Sequence, residues 1–195
     1  QHDDRRVVVD AAPRRRQPTW GGFLPQFLGF EVCQQILATL LSDGPIPYLD
    51  DCASAVLAQH RKVMQEVLES RQGGIEIEEG EVRWWTFAGG RSNATLRYAL
   101  QGIGGDWKII PDNFLIKVKG EDLDRPRFAQ ALAKLADPKI WENEQLWSDV
   151  AEALPHYRLS KFQSLMPEWI EREVVARYLL DMEGARSWLA RAAVT

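Results

Sequence analysis

The stretch between residues 75 and 102 most constrains the fold, because three local patterns follow one another there without a gap. It begins with "IEIEEGEVRWWTFA", in which polar and apolar residues alternate as in a β-hairpin that turns at Glu79-Gly80. Two glycines at 89 and 90 follow, and then a helix-like segment runs from about Ser92 to Gly102. The pattern predicts a hairpin that leads through a tight turn into a helix.

Helical patterns lie on both sides of this stretch. Upstream, apolar spacing predicts helices over 30–42 and 48–71. The core candidates are 32, 36, 37, 40 and 41 in the first helix and 52, 56, 63, 67 and 68 in the second.

Further strands are predicted by "WKIIPD" and "FLIKVKG", and the chain beyond residue 124 is predicted to be helical, with Pro126 and Pro167 in first turns. Near the start, Arg6 to Asp10 is typical of a strand, but no partner strand is evident nearby. We therefore predict an α+β fold that is mostly helical, with a small antiparallel sheet in the middle and a helical C-terminal part.

The chain has 195 residues, of which 45% are hydrophobic, enough to bury a core. Its net charge of -4 argues against a dedicated nucleic-acid module but leaves room for a local basic surface. We divide it into a strand and basic loop at 1–22, which would end an upstream barrel or sheet, an α+β accessory domain at 23–120 and a helical subdomain at 121–195. Because the chain begins without Met, we expect it to be an internal part of a longer protein.

The sequence contains no recognisable set of catalytic or metal-ligating residues. Cys33 and Cys52 stand in no metal-ligand spacing, and buried free thiols of a cytoplasmic protein are the simplest interpretation. The three histidines form no cluster. We find neither a signal peptide nor an apolar run of transmembrane length. We therefore expect no enzyme activity, no metal or other cofactor in this chain, and no membrane partner.

The turn "AGGRSN" is the first candidate binding site. A strand, two glycines and a helix N-terminus form a place where backbone N–H groups can point at an anion, and Arg91 would add a positive charge. Ser92 or Asn93 would be a normal N-cap, and Asn93 is counted with Arg91 among the candidate contacts to nucleic acid. The alternative is a tight turn without a ligand. The glycine spacing fits neither a phosphate-binding P-loop nor a dinucleotide fingerprint.

The helix after this turn should have two different sides. Its apolar side should face the core. On the other side, a cation, a hydroxyl and a ring form one stripe that suits phosphate and base contacts, although a solvated face would show the same pattern. The apolar side carries Leu96, Leu100 and Ile103, and the stripe carries Arg91, Thr95 and Tyr98.

The loop "RRRQPTWGG" is the second candidate binding site. Arg14, Arg15 and Arg16 stand close to Trp20 in a segment that prolines and glycines keep extended. Arginines neutralise phosphates, and an exposed tryptophan can stack on a base. The alternative is a basic surface loop whose tryptophan lies in the core.

The predicted hairpin also carries two adjacent tryptophans. Trp84 and Trp85 should point to opposite faces, one into the core and the other toward a second layer or a ligand. In the same hairpin, Glu76, Glu78 and Arg83 should point outward.

Four phrases of the sequence resemble a known family: "APRRRQPTWGGFLPQFLGFEVCQQI", "PYLDDCASAVL", "RWWTFAGGRSNATLRYAL" and "LMPEWIEREVVARYLLD". They resemble the accessory region that follows the motor in large helicase-related proteins of the Lhr type. These are bacterial superfamily 2, DEAD/DEAH-box, ATP-dependent DNA helicases. The run Pro18-Thr19-Trp20-Gly21-Gly22 is similar to the start of the family's last domain. Residues 87–93 resemble its aromatic-small-Gly-x-Arg-x-Asn turn.

The resemblance implies a β-and-helix domain that helps to hold the translocating strand, after two RecA-like motor domains and a winged helix. The Walker A lysine, the DExx box and the arginine-finger motif are absent from the sequence. The chain would therefore be a non-catalytic part of an ATPase whose motor binds ATP and Mg²⁺ elsewhere.

We therefore expect two partners, single-stranded DNA or RNA and the motor domains of the same chain. The alternative is a protein-interaction module that docks on the motor or on another partner through tryptophan-rich surfaces. A small-molecule enzyme is a third interpretation, but it would need a deep pocket with perturbed carboxylates. The expected nucleic-acid contacts are Arg14, Arg15, Arg16, Trp20, Arg91, Asn93 and Tyr98.

Overall fold

The computed structural model describes residues 2–3, 6–7, 26–70 and 74–192. The fold is α+β, as predicted, with helices around a four-stranded antiparallel sheet. In chain order the elements are β1 (His2–Asp3), β2 (Arg6–Val7), α1 (Phe30–Leu40), α2 (Asp51–Ser70), β3 (Ile75–Glu78), β4 (Glu81–Trp85), α3 (Gly90–Gly104), β5 (Lys108–Pro111), β6 (Leu115–Lys119), α4 (Arg125–Leu135), α5 (Pro138–Trp141), α6 (Glu144–Ala153), a 3-10 helix (Gln163–Leu165), α7 (Glu168–Leu179) and α8 (Met182–Ala192).

The central sheet has the strand order β3-β4-β6-β5, and all neighbouring strands are antiparallel. The first hairpin turns at Glu79-Gly80, as predicted, and Gly80 has a φ of 70°. The two further predicted strands are β5 and β6. α3 connects the two hairpins, so the chain leaves the sheet after β4 and returns at the far edge.

The main core lies between one face of the sheet and the helices α3, α4 and α8. Leu96 and Leu100 are fully buried in it, and Ile103 packs against it, which confirms the predicted apolar side of α3. The Trp84 ring meets the rings of Phe128 and Trp188 edge-on, at centroid distances of 6.0 and 5.2 Å. This core takes residues from both sides of residue 120, so the division predicted between 120 and 121 does not separate two cores.

A second, smaller core joins α6 and α7. Val150 and Leu154 pack there with Val175 and Leu179, and Phe27 and Tyr98 lie against them. The C-terminal helices are thus attached to α3 as well as to each other.

The helices α1 and α2 form at their predicted positions but bury less than their patterns suggest. In α1, Cys33 is buried, whereas Val32 is 45% exposed. In α2, the predicted core positions Val56 and Val63 are 50% and 52% exposed. The two helices pack on each other, α2 also packs beside β3, and the Gln34 side chain of α1 donates to the carbonyl of Phe87 after β4. Their periodicity therefore predicted helices correctly but placed too many residues in the core.

The strand predicted from Arg6 has a partner directly before it. β1 and β2 pair antiparallel, with His2 opposite Val7 and Asp3 opposite Arg6. The expectation that no partner lies nearby was therefore wrong, while residues 8–10 of the predicted strand lie outside the described residues.

The two cysteines differ in their surroundings, which corrects the prediction that both are buried. Cys33 is fully buried, and its Sγ donates to the carbonyl of Asn113 at 3.4 Å. Burial, and then the negative charge of Asp112, raise the pKa of the Cys33 thiol above its ordinary value. Cys52 is exposed in the first turn of α2.

We predict that Cys52 reacts with a disulfide reagent at pH 8 at least about tenfold faster than Cys33, because Cys33 is both inaccessible and less often a thiolate. Absorbance during labelling would resolve the two phases. In Cys52→Ser the fast phase should vanish; a fast phase that persists there would contradict the burial of Cys33.

Candidate nucleic-acid interface

The strand-to-helix turn predicted as an anion site is filled by the protein itself. The N–H of Gly89 donates to the carbonyl of Asn113, and the N–H of Gly90 donates to that of Leu28, each at 3.2 Å. Phe27 lies so close to Gly90 that a Cβ there would be 2.4 Å from its Cδ1. Both glycines are buried. The turn is therefore a tight connection covered by residues 26–29, which was the alternative interpretation.

Gly89 is the N-cap of α3, in place of the predicted Ser92 or Asn93. It has a φ of 86° and a ψ of 158°, a combination that is nearly exclusive to glycine. A Cβ at this position would also lie 2.9 Å from the carbonyl oxygen of Leu28. Backbone conformation and space thus both require glycine at position 89.

Asn93 is fully buried and fastens the turn to the loop after β5. Its Oδ1 accepts a hydrogen bond from Thr86 Oγ1 at 2.7 Å, and its Nδ2 donates to the carbonyl of Asp112 at 2.8 Å. With no exposed surface, Asn93 cannot contact a nucleic acid in this structure, which corrects its assignment from sequence. Its role is to satisfy buried polar groups.

The predicted stripe on α3 contacts the corner between α7 and α8 through Arg91 and Thr95. Arg91 Nη2 donates to the carbonyls of Arg177 and Leu180, at 2.6 and 2.5 Å. Thr95 is fully buried, and its Oγ1 donates to the carbonyl of Arg91 and accepts from the N–H of Asp181. A guanidinium at a helix C-terminus satisfies free carbonyls and complements the helix dipole. Thr95 thus belongs to an interhelical seam, whereas Arg91 caps the end of α7 and stays exposed to solvent.

Tyr98, the third residue of the stripe, is half-buried in the packing of α6 and α7. The guanidinium of Arg97 lies 4.6 Å from the centroid of its ring. The other predicted contacts, Arg14, Arg15, Arg16 and Trp20, lie outside the described residues.

The two adjacent tryptophans of β4 do point to opposite faces, as predicted. Trp84 is 4% exposed in the main core. Trp85 is half-buried on the other face and stacks on Phe87, with ring centroids 6.2 Å apart. A Cβ on Gly74 would lie 3.1 Å from Leu68 Cδ2 and 3.2 Å from Trp85 Cβ, so the last turns of α2 lie beside Trp85. Trp85 therefore faces a second layer.

The open part of the sheet's other face brings four cations together. Across β4 and β6, Arg83 lies opposite Lys117, and across β6 and β5, Lys119 lies opposite Lys108. Directly opposed residues in antiparallel strands share a face, and here it is the face turned away from the main core. The side chains of Arg83, Lys117 and Lys119 are 38%, 35% and 49% exposed, and Lys108 is exposed too. We call these four residues the cationic sheet face.

One carboxylate, that of Glu81, lies among three of these cations. Its Oε1 is 3.0 Å from Arg83 Nε and 3.7 Å from Lys117 Nζ, and its Oε2 is 2.6 Å from Lys119 Nζ. The hydrogen bond from Lys119 lowers the pKa of Glu81 below its usual value; Arg83 and Lys117 add to this effect, and desolvation opposes it. Among the described residues, no carboxylate pairs with Lys108.

Charge changes sign across this face of the sheet. The edge strand β3 contributes Glu76, which is 3.8 Å from Arg83, and Glu78, which lies opposite Glu81. The opposite edge contributes Lys108 and the 44% exposed Ile110. Side chains on the same face of neighbouring strands, at directly opposed or next-but-one positions, lie within about 10 Å of one another. The geometry suits the backbone of a polyanion, which would lie toward β5 and β6.

Sequence reasoning placed Arg83 on the outward side of the hairpin together with Glu76 and Glu78, and the register confirms this placement. It did not group Arg83 with the lysines. The signal was present, because Lys108, Lys117 and Lys119 fall on alternating positions of "WKIIPD" and "FLIKVKG". What was missing was the strand order, which puts β6 beside β4.

A comparison of the chain with protein-family models, curated proteins and solved structures found no match. The resemblance to Lhr-type helicases therefore stays a prediction that rests on the sequence phrases. Within the described ranges, no helix combines the length and the apolar character that crossing a bilayer requires. In the same ranges, no group of three or more His, Cys, Asp or Glu side chains could hold a metal ion.

We predict that Gly89→Ala lowers the free energy of unfolding by about 1–3 kcal/mol, because alanine is strained at this φ and its Cβ meets a carbonyl oxygen. Urea denaturation would measure the change. Gly44→Ala is the control, because a Cβ there meets nothing within 4 Å. Equal stability of the two variants would contradict the requirement for glycine at 89.

We predict that Arg91→Met lowers the free energy of unfolding by about 1–2 kcal/mol, because two carbonyls at the end of α7 lose a charged donor. Its affinity for single-stranded DNA should match that of the control Arg186→Met, which removes an exposed arginine from α8. A specific loss of affinity with unchanged stability would instead assign Arg91 to nucleic-acid binding.

Proposed function

We propose that this chain is a non-catalytic accessory domain of a bacterial, cytoplasmic ATP-dependent DNA helicase, and that it contacts single-stranded nucleic acid or the strand-separation fork. The sequence phrases that resemble Lhr-type helicases support the family. The observation that carries the contact is the cationic sheet face, which gathers four cations on the exposed side of a sheet in a chain of net charge -4.

Lysines and arginines bind nucleic acid by neutralising phosphates and releasing counterions, which gives affinity without reading the sequence. The cationic sheet face offers such contacts, and the exposed Ile110 beside it adds apolar surface. We propose that Arg14, Arg15, Arg16 and Trp20, which precede the described segment starting at residue 26, add contacts to the same strand. ATP and Mg²⁺ would bind in the motor domains of the parent protein.

The alternative proposal is a protein-interaction module that docks on the motor domains or on another partner. Four exposed apolar side chains around the start of α7 favour it, since large exposed apolar groups often mark interaction sites. They are Phe162, Leu165, Met166 and Trp169, which are 59%, 80%, 37% and 67% exposed. The two proposals differ in salt dependence, because phosphate contacts weaken steeply with salt and apolar docking does not.

We predict that the double variant Lys117→Gln/Lys119→Gln binds a labelled oligothymidine about tenfold more weakly than the unaltered chain. It should also lower the slope of log affinity against log salt by at most about 1.4, since an unpaired phosphate contact contributes about 0.7 and Glu81 pairs with both lysines. Fluorescence anisotropy of the labelled strand at several salt concentrations would measure both quantities.

The matched control is Lys134→Gln/Lys139→Gln, which removes the same charge from exposed positions on α4 and α5. The control should keep the affinity and the slope within about twofold and 0.3 of the unaltered chain, since it removes no phosphate contact. Equal losses in both variants, or no loss in either, would contradict the cationic sheet face as the binding surface. Circular dichroism would verify folding.

A further inference from the structure

The carboxylate of Glu81 lies among the cations of the cationic sheet face and offsets part of their charge. Glu81 begins β4 on the solvent face of the sheet, and three cations of two strands converge on its two oxygens at 2.6, 3.0 and 3.7 Å. Its side chain is 16% exposed, whereas the side chains of Arg83, Lys117 and Lys119 are between 35% and 49% exposed. The Glu81 side chain is thus more buried than the three cations around it.

The neighbouring carboxylate of Glu78 shows that this arrangement is not a general property of the acidic hairpin. Glu78 lies directly opposite Glu81 on β3, on the same face of the sheet, and it is exposed. Among the described residues, no cation pairs with Glu78. The two glutamates therefore carry the same charge at adjacent positions but differ in their contact with the cations.

We propose that Glu81 acts as a built-in competitor for the phosphates of a nucleic acid: its carboxylate holds Arg83, Lys117 and Lys119 until a strand displaces it. This inference rests on the function proposed above and names how the same surface is regulated. Carboxylate and phosphate oxygens accept the same charge-assisted hydrogen bonds from lysine and arginine. A cation cannot neutralise both fully, so each phosphate contact on this face is made at the expense of a contact to Glu81.

Competition of this kind has a recognisable signature in the salt dependence. A phosphate that displaces Glu81 from its cations releases its own counterion, but the freed carboxylate attracts a cation from solution in turn. The net release of ions is therefore smaller, and the affinity falls less steeply with salt. Glu81 would therefore keep the affinity low and the salt slope shallow. Low affinity allows a strand to slide across the surface, as a domain beside a translocating motor would require.

The test compares Glu81→Gln with Glu78→Gln in the 195-residue chain. Both variants remove one negative charge from the same row of the sheet, so their long-range effects on a polyanion are alike. Only Glu81→Gln removes a carboxylate that three cations share; Lys117 and Lys119 lose this partner, while Arg83 keeps Glu76 at 3.8 Å. We expect Glu81→Gln to bind oligothymidine at least about threefold more tightly than Glu78→Gln at 50 mM salt, in line with the modest strength of exposed ion pairs.

The salt slope provides a second readout. It should steepen by about 0.7 in Glu81→Gln, because the single negative charge removed offsets about one phosphate contact, and by less than about 0.3 in Glu78→Gln. Should glutamine at 81 impair folding, Glu81→Thr keeps a residue that favours strands and should shift affinity and slope in the same direction.

The outcomes separate this inference from the proposal on which it rests. If Lys117→Gln/Lys119→Gln weakens binding but the Glu81 and Glu78 variants bind alike, Glu81 is no competitor, while the sheet still binds nucleic acid. If the lysine variant binds as tightly as the unaltered chain, the proposed surface is wrong, and the inference fails with it. Tighter binding by Glu81→Gln with a steeper slope would support both.

Discussion

The backbone conformation of Gly89 decides where α3 begins, and most of the remaining structure packs on that helix. Residues 26–29 close over the turn through the hydrogen bond from Gly90 to Leu28. The apolar side of α3 lies on the sheet and α4, and its polar side receives the corner between α7 and α8. The turn and Thr95 are therefore buried by the protein itself, while Arg91 caps the end of α7 from an exposed position.

The polar groups of α3 are used to attach other elements. The Thr95 hydroxyl accepts a hydrogen bond from the N–H of Asp181, and Arg91 donates to carbonyls at the end of α7. Buried or capping hydrogen bonds of this kind hold an orientation as well as stabilise it, because an unpaired partner would be costly. The chemistry that suggested phosphate contacts, a cation and a hydroxyl one turn apart, is the same chemistry that satisfies carbonyls and N–H groups at a helix end.

The two faces of the sheet have different roles. Its inner face supplies the main core, while its outer face is divided between Trp85, which lies beside α2, and the cationic sheet face with Glu81. The charges lie in order across the strands, with acids at β3 and lysines at β5 and β6. The cationic sheet face thus needs no run of basic residues, because the sheet collects single charges from separate strands.

The sequence by itself determined the local structure of this protein. Alternation in "IEIEEGEVRWW" established the hairpin and the outward position of Arg83, and the di-glycine at 89 and 90 established a sharp connection to α3. These features depend on neighbours a few residues away, which periodicity and glycine content report directly. The same patterns overestimated burial in α1 and α2, because periodicity shows that a helix has an apolar side but not whether another element covers it.

Only the tertiary structure decided which polar residues face solvent and which meet one another. Arg91 and Thr95 contact residues more than 80 positions away in the sequence. Lys117 and Lys119 lie on β6, which pairs with β4 although α3 and β5 separate the two strands in the sequence. Such contacts depend on strand order and helix packing, which result from the burial of the apolar faces against one another. The spacing of residues along the sequence does not report them. The candidate site is therefore a surface that forms only when the chain is folded, and it differs from the motif that is visible in the sequence.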